Sequence, residues 1–465
     1  MLAFLGFAMV VTFMTLIMLR RLSPMIALIL IPILFALVAG FGTEDLGKMM
    51  LDGIKTLAPT GVMLMFAILY FGLMIDAGLF DPVVKRILRL VGGDPMKVVI
   101  GTAALAAMVS LDGDGSTTYM IVAASMLPLY RRLGMNALNL TCVTILAGGV
   151  MNLTPWGGPL ARAASALQID PSTIFVPLIP AMIVGIVGVL GLAWHLGMSE
   201  RRRLGTVTLS RPDQGLAFDS PGSAAAATPV EGQDGLANDG LMEDVALLPP
   251  ETADASALKR PRLLWFNALL TLGLLVTLVL GVLPLPALFM IAFSIAMIAN
   301  FPKLEEQRRR VTAHATNVIA VVSLIFAAGI FTGILAGTGM VDAMSETFLA
   351  MIPEAWGPYL APITAVASMP FTYFISNDAF YYGVLPVVSE AAGKYGISHA
   401  EMARASLIGQ PVHLLSPLVA STYLLVGLAG VEFGDHQRFT IKWSVMISLL
   451  MLAASLLFGV FPLMG

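Results

Sequence analysis

Uncharged apolar runs long enough to cross a bilayer recur along the chain: Leu2 to Leu19, Pro24 to Gly42, Leu57 to Ile75, Pro171 to Ser199 and Trp443 to Gly465. A hydrocarbon core of about 30 Å takes about 20 mostly apolar helical residues, so the pattern predicts an all-α, polytopic membrane protein. Two further stretches, Val98 to Leu111 and Thr117 to Tyr130, are apolar but would each rise only about 21 Å as helix. The segment between them, Asp112-Gly113-Asp114-Gly115-Ser116, is polar and rich in glycine. Facing lipid it would leave peptide groups unpaired, and a re-entrant helical hairpin over 97–131 with its tip sheltered by protein avoids that cost. The other reading, an extramembrane loop between two spans, spoils the charge distribution described below. A second re-entrant hairpin is predicted over 357–393, with Ser376-Asn377-Asp378 at its tip.

Between 198 and 262 the apolar pattern stops. Ser, Pro, Gly, Asp and Glu accumulate around a run from Ala224 to Ala227, which predicts a disordered linker between a first half, 1–197, and a second, 263–465. The halves resemble each other. Gly72, Gly78 and Asp81 match Gly333, Gly339 and Asp342, since 333 minus 72, 339 minus 78 and 342 minus 81 are all 261. Gly148 and Asn152 match Gly409 and His413 at the same displacement, and Pro155 matches Pro417 one residue further on. A displacement held this steadily argues for duplication. Five spans plus one hairpin per half is an odd count of crossings, which turns the second copy upside down. Two inverted repeats are the architecture of a secondary transporter rather than of a channel.

Charge fixes the expected orientation. With the N-terminus outside and each hairpin returning to its own side, Lys85, Arg86, Arg89, Lys97, Arg131, Arg132, Arg201 to Arg203, Lys303 and Arg308 to Arg310 fall in the cytoplasm, against Lys48, Lys55, Lys394 and Arg404 outside. The positive-inside rule therefore puts the linker in the cytoplasm and both termini outside a cell inner (plasma) membrane. Met1 leads into the first run without a Lys or Arg, which reads as a retained span rather than a cleaved signal. Composition agrees: 58% of residues are hydrophobic and 12% charged, half the charged share of an average soluble domain, about 25%. A net charge of -3 gives no field for nucleic acid, and the single Cys142 excludes an intrachain disulfide.

Four polar interruptions are expected to meet near the midplane: the two hairpin tips and two helices broken by proline, over 135–168 and 401–431. The breaks read Asn152-Leu153-Thr154-Pro155-Trp156-Gly157-Gly158-Pro159 and Gln410-Pro411-Val412-His413-Leu414-Leu415-Ser416-Pro417. Proline removes a backbone donor, glycine lets the chain unwind, and each restarting helix offers N–H groups to an anion. Gly115, Ser116, Thr117, Asn152, Thr154, Gly157, Ser376, Asn377, His413 and Ser416 are the candidate substrate contacts. Arg162, the only basic residue placed inside the membrane, is a candidate for a carboxylate, the alternative being an acidic structural partner.

Asp112, Asp114 and Asp378 would repel a bare polycarboxylate. A divalent cation travelling with the substrate, or a coupled proton, removes the conflict, because hard cations take oxygen ligands. These three are therefore candidate metal ligands, and Asp114, Asp378 and His413 candidate proton carriers. Against this, an Asp beside Gly can be a turn former, and His413 a hydrogen-bonded buried imidazole. Asp76, Trp156, Tyr381 and Tyr382 read as interfacial or packing residues. An intramembrane aspartyl protease would also use two buried carboxylates, but its Gly-x-Gly-Asp pattern is absent, and the chain is not expected to be an enzyme.

The stretch Ala58-Pro59-Thr60-Gly61-Val62-Met63-Leu64-Met65-Phe66-Ala67-Ile68-Leu69-Tyr70-Phe71-Gly72, the tip Leu111-Asp112-Gly113-Asp114-Gly115 and both breaks, with Met151 and Gly409 before them, resemble the citrate-divalent metal:proton symporter family (CitMHS) of the ion transporter superfamily. The resemblance covers both halves and omits 198–262. It implies proton-driven uptake of citrate as a complex with Mg²⁺, Ca²⁺ or a related ion, with no permanently bound cofactor. More distant relatives with paired hairpins imply a homodimer in which a transport domain moves, elevator-like, against a fixed scaffold. The nearest alternative is a sodium- or proton-coupled carrier of free di- or tricarboxylate or of a gluconate-like anion.

Overall fold

The structure, a computed structural model, describes residues 1–19, 21–91, 93–113, 115–205 and 258–465. Among these residues every regular element is helical. The first half runs α1 (Leu2–Met18), α2 (Pro24–Val38), α3 (Thr43–Asp76), α4 (Asp81–Val91), α5 (Pro95–Val109), α6 (Gly115–Leu133), α7 (Ala137–Met151), α8 (Gly158–Ala166) and α9 (Pro171–Leu204). The second runs α10 (Leu264–Leu280), α11 (Leu285–Asn300), α12 (Leu304–Gly337), α13 (Met340–Met351), α14 (Leu360–Phe374), α15 (Leu385–Gly393), α16 (His399–Ser406), α17 (Gln410–His413), α18 (Ala420–Ala429) and α19 (Phe433–Leu457). Helix starts are written locally. Ser23, Asp94, Asn136 and Asp170 each cap the N–H two or three residues on, three of them with proline at the first helical position, and Ser398 with Glu401 closes a capping box before α16.

Helix lengths recur in order. They are 17, 15, 34, 11 and 15 residues for α1 to α5 and 17, 16, 34, 12 and 15 for α10 to α14. The 34-residue helices α3 and α12 cross antiparallel, backbone against backbone. A Cβ on Gly53 would overlap the Gly329 carbonyl, and one on Gly333 would overlap the Met49 carbonyl. Near the other end of α3, a Cβ on Gly72 would come within 2.7 Å of the His314 ring. The 261-residue displacement relates these contacts in exchanged pairs: Gly53 with Gly333 becomes His314 with Gly72, and Met49 with Gly337 becomes Arg310 with Asp76. At the latter, Asp76 takes bonds from Arg310 Nη1 (3.2 Å) and His314 Nε2 (2.9 Å). At the opposite end, Met49, Gly53, Gly333 and Gly337 line a cavity of about 440 Å³ together with Asp45, Lys48 and Asp52.

Burial sorts the helices into a belt and an interior. On α10 the large apolar residues Trp265, Leu269, Leu272, Val276 and Leu280 are all exposed, as are Leu30, Leu34 and Leu37 on α2; lipid is the solvent that accepts such faces. The polar pair Asn267 and Asn300, which exchange amide bonds of 2.9 Å, is buried between α10 and α11. By contrast α7 is buried on every side from Asn139 to Val150. Six helices among the described residues are long and apolar enough to cross a membrane.

Three boundaries differ from the sequence reading. Helix α9 continues through Leu204, past the boundary expected at 197, because the basic turn Arg201 to Arg203 stays helical. Helix α3 starts at Thr43 rather than Leu57: its first turns carry Glu44, Asp45, Lys48 and Asp52, and at about 51 Å it outruns the hydrocarbon, so charges there do not end it. Helix α19 starts at Phe433, before Arg438 and Lys442, and stops at Leu457. The expected linker lies outside the described residues from 206 to 257.

The crossing makes a sharp steric forecast. Gly53→Ala should cost about 1–3 kcal/mol through overpacking, seen as a lower midpoint of thermal unfolding in detergent. Gly47→Ala, less than two turns away with open space around the new methyl, should not lower the midpoint, since Ala favours a helix over Gly by about 1 kcal/mol.

Candidate functional site

The four interruptions come together. In the first hairpin α5 passes through a tight turn, Ser110–Asp112, and left-handed Gly113 before α6 restarts at Gly115. The first broken helix unwinds between α7 and α8, where the Gly157 N–H donates to the Thr154 carbonyl at 2.8 Å and a Cβ on Gly157 would overlap the Asn152 carbonyl. Only glycine allows that fold-back. The two are joined by Trp156, whose Nε1 donates to the Leu111 carbonyl at 2.8 Å while its ring lies against Gly113.

The second hairpin descends along α14, leaves the helix at Ile375, and resumes through a π-helical turn, Ala379–Val384, into α15. Such turns are rare and concentrate at functional positions. Ser376 Oγ accepts from the Ala379 N–H at 3.1 Å and so starts that turn. Beside it the second broken helix is tied to the hairpin at three levels. Gln410 Nε2 donates to Asn377 Oδ1 (3.4 Å) and the Tyr381 hydroxyl (2.9 Å), His413 Nδ1 meets the Thr372 carbonyl (2.6 Å), and Ser416 Oγ donates to the Tyr373 carbonyl (2.7 Å).

Contacts between the halves close the ring. Arg162 Nε donates to Asp378 Oδ1 at 2.6 Å. Ser165 Oγ lies 3.0 Å from the Tyr382 hydroxyl and donates to the Arg162 carbonyl at 2.9 Å. A Cβ on Gly149 would come within 2.9 Å of Pro411 Cα, so α7 and α17 touch at backbone distance, and one on Gly115 would lie 3.5 Å from Ser421 Oγ.

Of the described candidates, Asn152, Thr154, Gly157, Arg162, Ser376, Asn377, Asp378, His413 and Ser416 take part in the contacts above, Gly115 lies near Ser421, and Asp112, Ser116 and Thr117 flank the first turn. Asp112, Thr154, Gly157, Asp378, His413 and Ser416 are buried, and Gly115, Ser116, Thr117, Asn152, Arg162, Ser376 and Asn377 half-buried. Asp114 lies outside the described residues. Arg162 has an acidic partner, Asp378. Among the described residues, Asp112 and Asp378 belong to no group of three or more His, Cys, Asp or Glu able to hold a metal ion. The acids are distributed between the halves rather than gathered into a cage.

Sequence reasoning passed over Gln410. It is wholly buried, it bridges both parts of the second half's site, and its Oε1 has no hydrogen-bond partner among the described residues, as is also true of Thr154 Oγ1. A polar side chain between Gly409 and Pro411 in an otherwise apolar stretch was the available signal. Asp76, read as interfacial, ends α3 and there pairs with Arg310 and His314.

The helical architecture, with six helices among the described residues long and apolar enough to cross a membrane, is that of a multi-pass membrane protein. It is similar to the YdaH transporter of Alcanivorax borkumensis, with a TM-score of 0.54 at 14% identity over 91% of this chain and 90% of that one. The chain belongs to the CitMHS family, described as citrate transporter, whose model matches residues 2–409. Among its relatives in Bacillus subtilis (strain 168) are a "Citrate transporter", 55% identical, and a "Mg(2+)/citrate complex secondary transporter", 50% identical, each matched over 99% of both chains. The family is one of transporters, not enzymes.

Trp156 offers a direct check on the geometry. Trp156→Phe keeps the ring but strands the Leu111 carbonyl, a loss of about 1–3 kcal/mol; hydrogen exchange at 110–113 should accelerate while that of α9 stays unchanged.

Proposed function

We propose that the protein is a secondary active transporter that imports citrate as its complex with Mg²⁺ or Ca²⁺, coupled to protons. The observation that carries this is the Arg162 and Asp378 pair at the meeting of two broken helices and two helical hairpins. A cation and a carboxylate side by side in a membrane interior suit a substrate that itself carries both signs. Citrate is largely trivalent near neutral pH, and one bound divalent ion leaves a single negative charge, which lowers the electrostatic cost of crossing an apolar barrier. The likeness at 50% identity to a Mg²⁺/citrate complex secondary transporter supports the same substrate.

In this reading Ser116, Thr117, Asn152, Thr154, Asn377 and Ser416 hold citrate oxygens, with Gly115, Gly157 and Ser376 shaping the backbone around them. Arg162 takes a carboxylate, while Asp112, Asp114 and Asp378 face the metal. Asp114, Asp378 and His413 are the proton-coupling groups. The unpartnered buried oxygens of Thr154 and Gln410 support a polar ligand, because a buried group left without a bond costs about 1–3 kcal/mol.

The two halves act as inverted repeats with re-entrant hairpins. Support comes from the antiparallel crossing of α3 and α12: a two-fold axis that lays one helix antiparallel on its equivalent runs perpendicular to both, hence in the membrane plane. Alternating access follows as the buried hairpins and broken helices move, elevator-like, against the α3 and α12 crossing within a homodimer. The positive-inside rule favours 198–262 in the cytoplasm and both termini outside.

Uptake of labelled citrate into proteoliposomes should require a divalent ion and rise when the interior is made alkaline; equal uptake with excess EDTA would leave a free-carboxylate carrier as the answer. A C-terminal alkaline phosphatase fusion should be active and a C-terminal GFP fusion exported through Sec should stay dark; the reverse result refutes the orientation.

A further inference from the structure

The Arg162 and Asp378 contact joins the two halves: Arg162 stands on α8, one turn beyond the first break, and Asp378 at the tip of the second hairpin. It is braced rather than incidental, since Ser165 and Tyr382 link the same two backbones one turn further along. Its geometry leaves room for more. Among the described residues the guanidinium meets Asp378 through Nε, at a single point, with Nη1 lying over Gly158, where a Cβ would come within 2.8 Å. A guanidinium can also clasp a carboxylate through two parallel N–H bonds. The side chains are 25% and 12% exposed, so the pair is largely withdrawn from solvent without being sealed from it.

A largely buried ion pair resists losing one partner, because the charge left behind is uncompensated. A free polycarboxylate that captured Arg162 would strand Asp378 as an anion beside another anion. A bare divalent cation that captured Asp378 would strand Arg162 beside another cation. A metal–polycarboxylate complex presents both signs at once: its carboxylate replaces Asp378 on the guanidinium while its metal ion takes the released Asp378 oxygen. No charge is abandoned in the exchange.

We infer that the Arg162–Asp378 pair is the specificity element that selects the metal–citrate complex over either of its components, by penalising each component bound alone. This deepens the proposed function and rests on its assignment of the substrate. Specificity of this kind is a difference between two affinities, set as much by what the wrong ligand leaves unpaired as by what the right one gains.

The test is calorimetry on the full-length protein in lipid nanodiscs with three probes: Mg²⁺ plus citrate, citrate with EDTA, and Mg²⁺ alone. The wild type should bind the first and neither of the others. Asp378→Asn should bind citrate in EDTA, with its preference for the complex falling by at least about tenfold, the factor that 1.4 kcal/mol supplies. Asp378→Glu, which keeps the charge, should retain the preference. Arg162→Gln should acquire binding of Mg²⁺ alone. Either altered variant decides by itself, so one that does not fold leaves the other to rule. Full wild-type preference in Asp378→Asn, or no Mg²⁺ binding by folded Arg162→Gln, overturns the inference while the proposed substrate stands. A wild type that binds citrate equally with and without metal, or not at all, defeats the proposed substrate instead.

Discussion

A helix that breaks inside hydrocarbon releases peptide groups that water cannot reach, and only other protein groups can take them up. Much of this molecule follows from that requirement. The first break is buried from Leu153 to Gly157 and the second from Gln410 to Ser416, and the Leu111, Thr372 and Tyr373 carbonyls and the Ala379 N–H of the two hairpins are met by Trp156, His413, Ser416 and Ser376. To shelter them, α7 is surrounded on all sides while α2 and α10 turn broad apolar faces outward. The 34-residue pair at the centre is drawn to backbone contact by glycines, which is how helices associate closely where apolar burial gives no advantage over lipid.

Much of the fold was legible because each clue was local. Run length separates a spanning helix from a short arm, and proline with glycine marks a break. The short helices α5 and α14 and the restarts at Gly115 and Gly158 therefore lie close to where the sequence points. Helix ends were less legible. The Arg201 to Arg203 run looks like the start of a polar linker, yet nothing in it stops a helix once water can solvate it, and the same holds for Glu44 to Lys55 at the start of α3. In the site, residue types could be read and partnerships could not. Arg162 and Asp378 are separated by 216 positions, and no periodicity links residues so far apart. Gln410 carried one local clue, an amide between Gly409 and Pro411 in an apolar stretch, but its partners Asn377 and Tyr381 stand 33 and 29 positions away.

The likeness to YdaH at 14% identity concerns architecture alone; chemistry resides in a few side chains mounted on it. Here those side chains are mostly neutral hydroxyls and amides, with one guanidinium and few carboxylates between them. Neutral donors and acceptors fit an oxygen-rich solute of several protonation states without imposing a fixed charge. Under the proposed function, the ionic groups would decide which of those states is admitted.

The paired contacts of α3 and α12 have a consequence for the history of the chain. Under the duplicated architecture proposed above, Gly53 and His314 descend from one position, as do Gly337 and Asp76. Two identical subunits meeting antiparallel would have to carry the same residue at both ends of their crossing, so both ends would be cramped or both would be charged. On that proposal, fusion into a single polypeptide would remove the obligation and let the ends diverge into an ion-paired clamp at one and an open hollow at the other, a division of labour that a symmetric ancestor could not encode.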